Sequence, residues 1–258
     1  MLDLYSSIGV GLFCFGLLLA FLVYHLRSHE RMIRRDINET KHVILLIAHP
    51  DDESMFFLPM IYALKNEDCF IEVVCVTNGN SKVRQEEMET IAKVIPLDKL
   101  TVLDLSDIGI IDSFGTKWDT KTLSRALKPY IKNESSVQVV TFDDNGISGH
   151  ENHISLYYAA LELKEEVPNP KYYSLKTVSI LRKYIIPFDV IILLLKDLVT
   201  VICSCCRSKR RDSHLFVMLR PWRNWKCMAT HHSQFVWFRK LFVFFSRYTF
   251  INEINQIY

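Results

Sequence analysis

Four short β-branched runs alternate with three amphipathic stretches, and that order constrains the fold more than any other feature of the chain. The runs HVILLIA (residues 42–48), FIEVVCVT (70–77), KLTVLDL (99–105) and VQVVTF (137–142) are almost continuously apolar, as strands are when both faces of a sheet are covered. Between them, residues 54–66, 82–94 and 120–132 carry apolar side chains at helical spacing. The alternation predicts βαβ units, and so an α/β, Rossmann-like three-layer fold with a mainly parallel sheet. Neither GxGxxG nor a GKS/GKT loop occurs, which argues against dinucleotide and P-loop chemistry.

In such sheets ligands bind beyond the carboxyl ends of the strands. The polar clusters fall there: HPDDE (49–53) after the first run, TNGNS (77–81) after the second, DLSD (104–107) after the third and FDDNGISGHENH (142–153) at the fourth. Three adjacent carboxylates repel one another and are costly to desolvate, so a fold keeps them on open surface or around something positive. Pro50 suits the first turn of a helix, which would place Asp51, Asp52 and Glu53 where backbone N–H groups favour carboxylates. His150 and His153, three apart, would share a face at the start of another helix. Read separately, both clusters also fit polar helix starts. Together they offer two imidazoles and a carboxylate, the ligand set of an open catalytic zinc site, with a spare carboxylate to take a proton.

The N-terminus adds a different element. Residues 4–26 contain no Asp, Glu, Lys or Arg, and at ~1.5 Å per residue they span a ~30 Å hydrocarbon layer. This predicts a transmembrane anchor over 1–27, a polar linker over 28–41 and one domain over 42–258. Arg27, Arg31, Arg34 and Arg35 follow the apolar run and no basic residue precedes it, which places the domain on the cytosolic side. Asn38 and Asn133 should then carry no glycan. The seven cysteines form no even, spread framework and are expected to be reduced. A formal net charge of +2 without a basic domain argues against nucleic acid as a partner. Residues 184–206 are apolar but include Asp189, Lys196 and Asp197; with the basic, Cys-rich stretch that follows, 184–213 reads as a membrane-associated segment or a covered helix rather than a second span. The aromatic run QFVWFRKLFVFF (234–245) reads either as a helix against the domain or as one skimming the bilayer.

AHPDDE (48–53) followed by GHENH (149–153) resembles the LmbE-like zinc deacetylases, specifically the membrane-anchored N-acetylglucosaminyl-phosphatidylinositol de-N-acetylases of glycosylphosphatidylinositol (GPI) anchor synthesis. TNGNS with RQEEM (84–88), TFDDNGISGHENH (141–153), SILRKY (179–184) and HHSQFVWFRKLFVFFSRYTFIN (231–252) extend the likeness in order over most of residues 41–258. The resemblance implies that His49, Asp52 and His153 bind Zn²⁺, that Asp51 is the general base and that His150 stabilises the oxyanion. It also implies a substrate contact for Arg84 and a substrate or histidine-orienting role for Asp143; by residue type alone, Arg84 also fits a surface helix and Asp143 a loop cap. Glu53 fits either a support for the site or a solvated first-turn residue. Some bacterial relatives carry Tyr where this chain has Ser148 and Asp where it has Asn152. The implied activity is de-N-acetylation of N-acetylglucosaminyl-phosphatidylinositol, the second step of GPI-anchor synthesis, at the endoplasmic reticulum membrane with phosphatidylinositol-linked N-acetylglucosamine and membrane lipid as partners. Zinc is the expected metal, though His and carboxylate ligands also suit other divalent ions. Two other readings are a deacetylase of another N-acetylated glycoconjugate and a non-catalytic membrane scaffold of the same fold.

Overall fold

The computed structural model describes residues 41–113, 115–184, 213–218 and 220–258. Strand β1 (His42–Ile47) is buried along its whole length and lies at the centre of the parallel region. It pairs with β2 (Phe70–Cys75) on one side, His42 opposite Phe70, and with β4 (Val137–Phe142) on the other, His42 opposite Val137. Parallel strands β3 (Lys99–Val102) and β5 (Lys171–Leu175) extend the sheet beyond β2 and β4. Antiparallel strands β6 (Ser213–Val217) and β7 (Ile251–Gln256) complete seven strands in the order β3-β2-β1-β4-β5-β7-β6.

The helices are α1 (Leu58–Lys65), α2 (Lys82–Ile91), α3 (Thr120–Leu127), α4 (Glu151–Glu166), α5 (Ile180–Tyr184), α6 (Pro221–Thr230) and α7 (Trp237–Phe245). Strand order runs outward from β1 to β3 in one direction and from β4 to β5 in the other. Right-handed crossovers then put α1 and α2 on one face and α3 and α4 on the opposite face, where α4 packs on α3, β4 and β1. The direction of winding reverses between β1 and β4, so the crevice beyond their carboxyl ends is the natural ligand site of this topology.

All four expected strands form, three of them ending one to three residues before their apolar runs do. The expected helix over 54–66 is divided: a π-helical turn (Glu53–Phe57) precedes α1. Pro59 lies in the first turn of α1 and has no N–H to donate to the preceding turn, so a new helix begins around it. Strands β5, β6 and β7 are additions to the sequence expectation. In β7 the sequence INEINQ buries Ile251, Asn252 and Ile254, and a buried Asn breaks the alternation by which strands are read.

Asn252 ties this edge of the sheet to the segment carrying the carboxylates. Its Oδ1 accepts from Met60 N at 3.0 Å and its Nδ2 donates to Phe56 O at 2.7 Å, all buried. Asn252→Ala strands two buried backbone groups and is expected to cost about 2–5 kcal/mol of stability. The midpoint of chemical denaturation reads this directly, and an unchanged midpoint would show that the tie carries no energy.

The expected anchor over 1–27 and nearly all of the linker over 28–41 lie outside the described residues, as does 185–212 of the expected membrane-associated segment. Among the described residues no helix is long and apolar enough to cross a membrane.

Candidate functional site

The chain leaves β1 through a tight, fully buried turn. Asp52 Oδ2 accepts from the backbone N–H of Ala48 (3.1 Å) and of His49 (2.9 Å), folding its carboxylate back over the strand end. Asp51 has φ +120°, a region that L side chains rarely adopt and that costs of order 1–3 kcal/mol. Its N–H donates to Glu53 Oε2 at 3.2 Å, and its carbonyl accepts from Ser54 N and Met55 N. The Pro50 carbonyl is held by Gln234 Nε2 (2.8 Å) and an Arg84 nitrogen (3.3 Å). The carboxylates therefore do not decorate the N-terminus of a regular helix; each is aimed by a strained turn that several elements hold in place.

The second cluster meets the first across the β1–β4 crevice. His49, Asp52 and His153, all buried, bring one donor atom each to within 4.8 Å of one another. His153 Nδ1 lies 3.2 Å from the Gly146 carbonyl, and its ring stacks on Phe142 at 3.8 Å with planes 2° apart. With Nδ1–H donated to that carbonyl, the lone pair is on Nε2. This atom is buried, lies 3.3 Å from Asp52 Oδ1 and has no hydrogen-bond partner. His49 Nε2 is 2.9 Å from Asn152 Nδ2 and 3.4 Å from Asp112 Oδ1, and Asn152 Oδ1 is buried without a partner. Turning the Asn152 amide over satisfies both groups: Oδ1 accepts from His49 Nε2–H, leaving the Nδ1 lone pair facing Asp52 Oδ2 at 3.5 Å. Two imidazole lone pairs converging on a buried carboxylate are an unfavourable arrangement unless a cation sits among them, so the donor set fits a divalent metal. Without an ion, protons on the two imidazoles take its place: burial alone would raise the Asp52 pKa, but the protonated rings of His153 and His49 hold it well below the ordinary carboxylate value.

His150 caps α4, its Nδ1 accepting from Asn152 N at 3.3 Å. That contact leaves the ring proton on Nε2. Burial, then the neighbouring His153 and His49, pull its pKa down to about 4, so the ring is neutral at physiological pH. Burial pushes Asp51 up to about 6 against the opposing charge of Arg239, which pairs with its Oδ2. Arg239 also reaches Gln234 Oε1 at 3.2 Å.

The C-terminal HHSQ turn is tied to the HPDDE segment and to Glu87 of α2. His231 Nε2 is 2.7 Å from Glu53 Oε1, with both side chains fully buried. Ser233 N and Oγ donate to Glu87, and His232 pairs with the same carboxylate. Burial, the strongest influence, lowers the His231 pKa, but the charge and hydrogen bond of Glu53 outweigh it and the net shift is upward. A raised folded pKa means that the protonated pair stabilises the fold fully below the ordinary histidine value of about 6.5. That contribution is lost as pH rises through the folded value. Thermal melts of wild type and His231→Gln should therefore differ most near pH ~5.5 and converge towards pH ~8.5; a difference independent of pH would place the proton elsewhere.

A cavity of about 720 Å³ opens over the metal donors, lined among others by Asp51, Arg84, Asp112, His150, Lys183 and Arg239. Arg84 donates to Asp112 Oδ2 at 2.5 Å. Its guanidinium passes so close to Gly79 that a Cβ there would meet Arg84 atoms at 2.6 Å, and Gly79 has φ +68°; the glycine of TNGNS makes room for Arg84. Asp143 does not line the cavity. Its carboxylate accepts from Thr177 N (2.6 Å) and Thr177 Oγ1 (2.5 Å), bracing the exits of β4 and β5 rather than a histidine. Ser148 is on the cavity wall. Sequence reasoning missed Asp112, His231, Lys183 and Arg239, although HHSQ, SILRKY and FVWFRK had drawn attention as motifs; Asp112 lies outside every such motif.

Comparison with known proteins agrees with this geometry. The family described as "PIG-L: GlcNAc-PI de-N-acetylase" matches residues 44–164. The chain is 33% identical over 226 residues to the "Probable N-acetylglucosaminyl-phosphatidylinositol de-N-acetylase" of Schizosaccharomyces pombe, covering 83% of this chain and 86% of that protein. It is 32% identical over 221 residues to the N-acetylglucosaminyl-phosphatidylinositol de-N-acetylase of Bos taurus, covering 82% of each. The N,N'-diacetylchitobiose deacetylase of Pyrococcus horikoshii, a solved structure, superposes with a TM-score of 0.54 at 14% identity, over 86% of this chain and 85% of that one, and shares the fold. With identity above 30% sustained over more than four-fifths of both partners, this chain belongs to the N-acetylglucosaminyl-phosphatidylinositol de-N-acetylase family.

Proposed function

We propose that the protein is a metal-dependent amide hydrolase that removes acetate from N-acetylglucosaminyl-phosphatidylinositol, leaving glucosaminyl-phosphatidylinositol for GPI-anchor synthesis. The observation that carries this reading is the buried His49–Asp52–His153 donor set at the floor of a cavity whose wall holds Asp51 and His150. The names of its relatives support the substrate. Zinc suits two imidazoles and one carboxylate, and the same ligands also accept Mn, Fe or Co.

A divalent ion held by these three residues supplies Lewis acidity and lowers the pKa of water to about 7. The chain's own groups do the rest. Asp51, ionised above pH about 6, accepts a proton from the attacking water as its oxygen bonds to the acetamide carbon. His150 presents Nε2–H towards the acetamide oxygen, whose charge grows as the carbonyl becomes tetrahedral. When the C–N bond breaks, Asp51 returns its proton to the amine nitrogen, giving acetate and glucosaminyl-phosphatidylinositol. In this reading Arg84 meets the sugar or phosphate, supported by its position on the cavity wall and its pairing with Asp112. Attachment through a single helix over 1–27, with the catalytic domain facing the cytosol at the endoplasmic reticulum, belongs to the same reading; the uncharged stretch 4–26 and the arginines after it support it.

The test is acetate release from N-acetylglucosaminyl-phosphatidylinositol by membranes containing the protein, with and without chelator and added Zn²⁺. Activity abolished by chelator and restored by zinc is expected. Folded protein that is inert under every condition would overturn the lipid-linked substrate and send the search to other N-acetylated glycoconjugates.

A further inference from the structure

The outer face of α7 is aromatic where a helix facing water is ordinarily polar. Trp237 is 72% exposed, and Phe238, Phe244 and Phe245 are each more than half exposed. Alongside lies α5, whose Tyr184 meets Phe242 edge to face at 6.3 Å and whose Ile180 and Leu181 are also open. This apolar surface continues into the cavity: Tyr184, Phe238, Leu241 and Phe245 form part of its wall. Charge is one-sided along this stretch of the chain. From residue 213 to residue 252 the chain contains no Asp or Glu, but has Arg220, Arg223, Lys226, Arg239, Lys240 and Arg247. Of these, Arg220, Lys226 and Lys240 are exposed.

Exposed rings beside Lys and Arg, in a stretch of chain without Asp or Glu, complement an anionic phospholipid surface: the rings sit at headgroup depth and the cations face the phosphates. A substrate with its acyl chains in the bilayer also needs the cavity mouth to lie at that depth. We propose that the face formed by α7 and α5 seats the catalytic domain on a bilayer containing anionic phospholipid, with the cavity mouth against the headgroups. This rests on the lipid-linked substrate proposed above. The rim of the active site is thus itself a membrane contact, separate from any N-terminal anchor.

The full chain, reconstituted in phosphatidylcholine vesicles with and without phosphatidylinositol, is photolabelled by a trace phospholipid carrying a diazirine high on its acyl chain, and the labelled peptides are mapped by mass spectrometry. Label on residues 236–245 and 180–184, at least ~3-fold stronger with phosphatidylinositol present, is expected. Label confined to residues 1–40 or 185–212, with α7 unlabelled, overturns the proposal, whether another segment or a second copy then covers the face. The variant Trp237→Ser/Phe244→Ser alters two rings outside the cavity wall. It is expected to lose ~10-fold in hydrolysis of vesicle-borne substrate while keeping wild-type hydrolysis of a water-soluble N-acetylglucosaminyl-inositol phosphate. Equal loss on both substrates overturns the docking role. Wild type inert on both substrates refutes the proposed reaction, while the label map still decides the docking surface.

Discussion

Asp51→Asn is expected to keep the fold, the metal content and the KM of the protein while lowering kcat about 10³-fold, within the range that a positioned general base contributes. The substitution is nearly isosteric, and the turn that carries it is held mainly by backbone: Asp51 N–H to Glu53, and the Asp51 carbonyl to Ser54 and Met55. None of these contacts uses the carboxylate, so the φ of +120° persists. What disappears is the acceptor for the water's proton. Arg239 keeps Gln234 as a partner, so no cation is abandoned in the cavity wall. Single-turnover acetate release with metal content measured on the same preparation separates this outcome from misfolding. A fall below about tenfold would mean that another group accepts the proton.

The position of Arg239 shows how much of the site comes from the end of the chain. The HPDDE turn is fixed by a C-terminal segment almost two hundred positions away: Gln234 on the Pro50 carbonyl, His231 on Glu53 and Arg239 on Asp51. Arg239 pairs with a carboxylate that faces the cavity, while Gln234 and His231 add to the bonds that Arg84 and Ser54 already make to the Pro50 carbonyl and Glu53, so this segment steadies the turn without touching His49, Asp52 or His153. The same stretch runs directly into α7. Arg239, the ion-pair partner of Asp51, and the aromatic rim thus sit on one continuous piece of chain, and displacement of that piece would alter the charge beside Asp51.

What the sequence made legible follows the same division. Four of the five parallel strands were readable because each is a near-continuous apolar run, and placing HPDDE and GHENH at strand exits was enough to bring His49, Asp52 and His153 into one crevice. That imidazoles and carboxylates would converge was legible; the aim of each group was not. A helix N-terminus was the natural reading of Asp51–Asp52–Glu53, whereas the structure uses a strained turn followed by a π-helical segment, because Pro59 restarts the helix at Leu58. Asp143 looked like a partner for a histidine from its place after β4. Thr177, at the exit of the unforeseen strand β5, takes its carboxylate instead. Asp112 lies in a loop without motif or periodicity, and only the folded backbone places it between Arg84 and His49. Pairings of this kind are decided by tertiary geometry, to which strand and helix periodicity are blind.

Asp52→Asn tests the metal centre more sharply than deletion of either histidine, because the variant should fold without the ion. Asn Oδ1 can accept from Ala48 N and His49 N as Asp52 Oδ2 does, and its Nδ2–H can donate to the His153 Nε2 lone pair that now lies 3.3 Å from the second carboxylate oxygen. The amide thereby replaces by a neutral hydrogen bond the contact that the ion would make, and the remaining pair of imidazoles lacks the anionic ligand that draws a divalent cation into a buried site. Wild type should gain about 2.7 kcal/mol of stability when free Zn²⁺ is raised to about a hundred times its dissociation constant, as binding to the native state alone requires. Asp52→Asn should gain almost nothing, retain a cooperative melt without metal, carry well under ~0.1 equivalent of metal after dialysis, and lose acetate release by at least ~10³-fold. A melt that still shifts with zinc would locate the metal on other residues. A variant that folds, binds no zinc and still hydrolyses substrate would show that the carboxylate beneath the cavity serves the architecture of the turn and not the reaction.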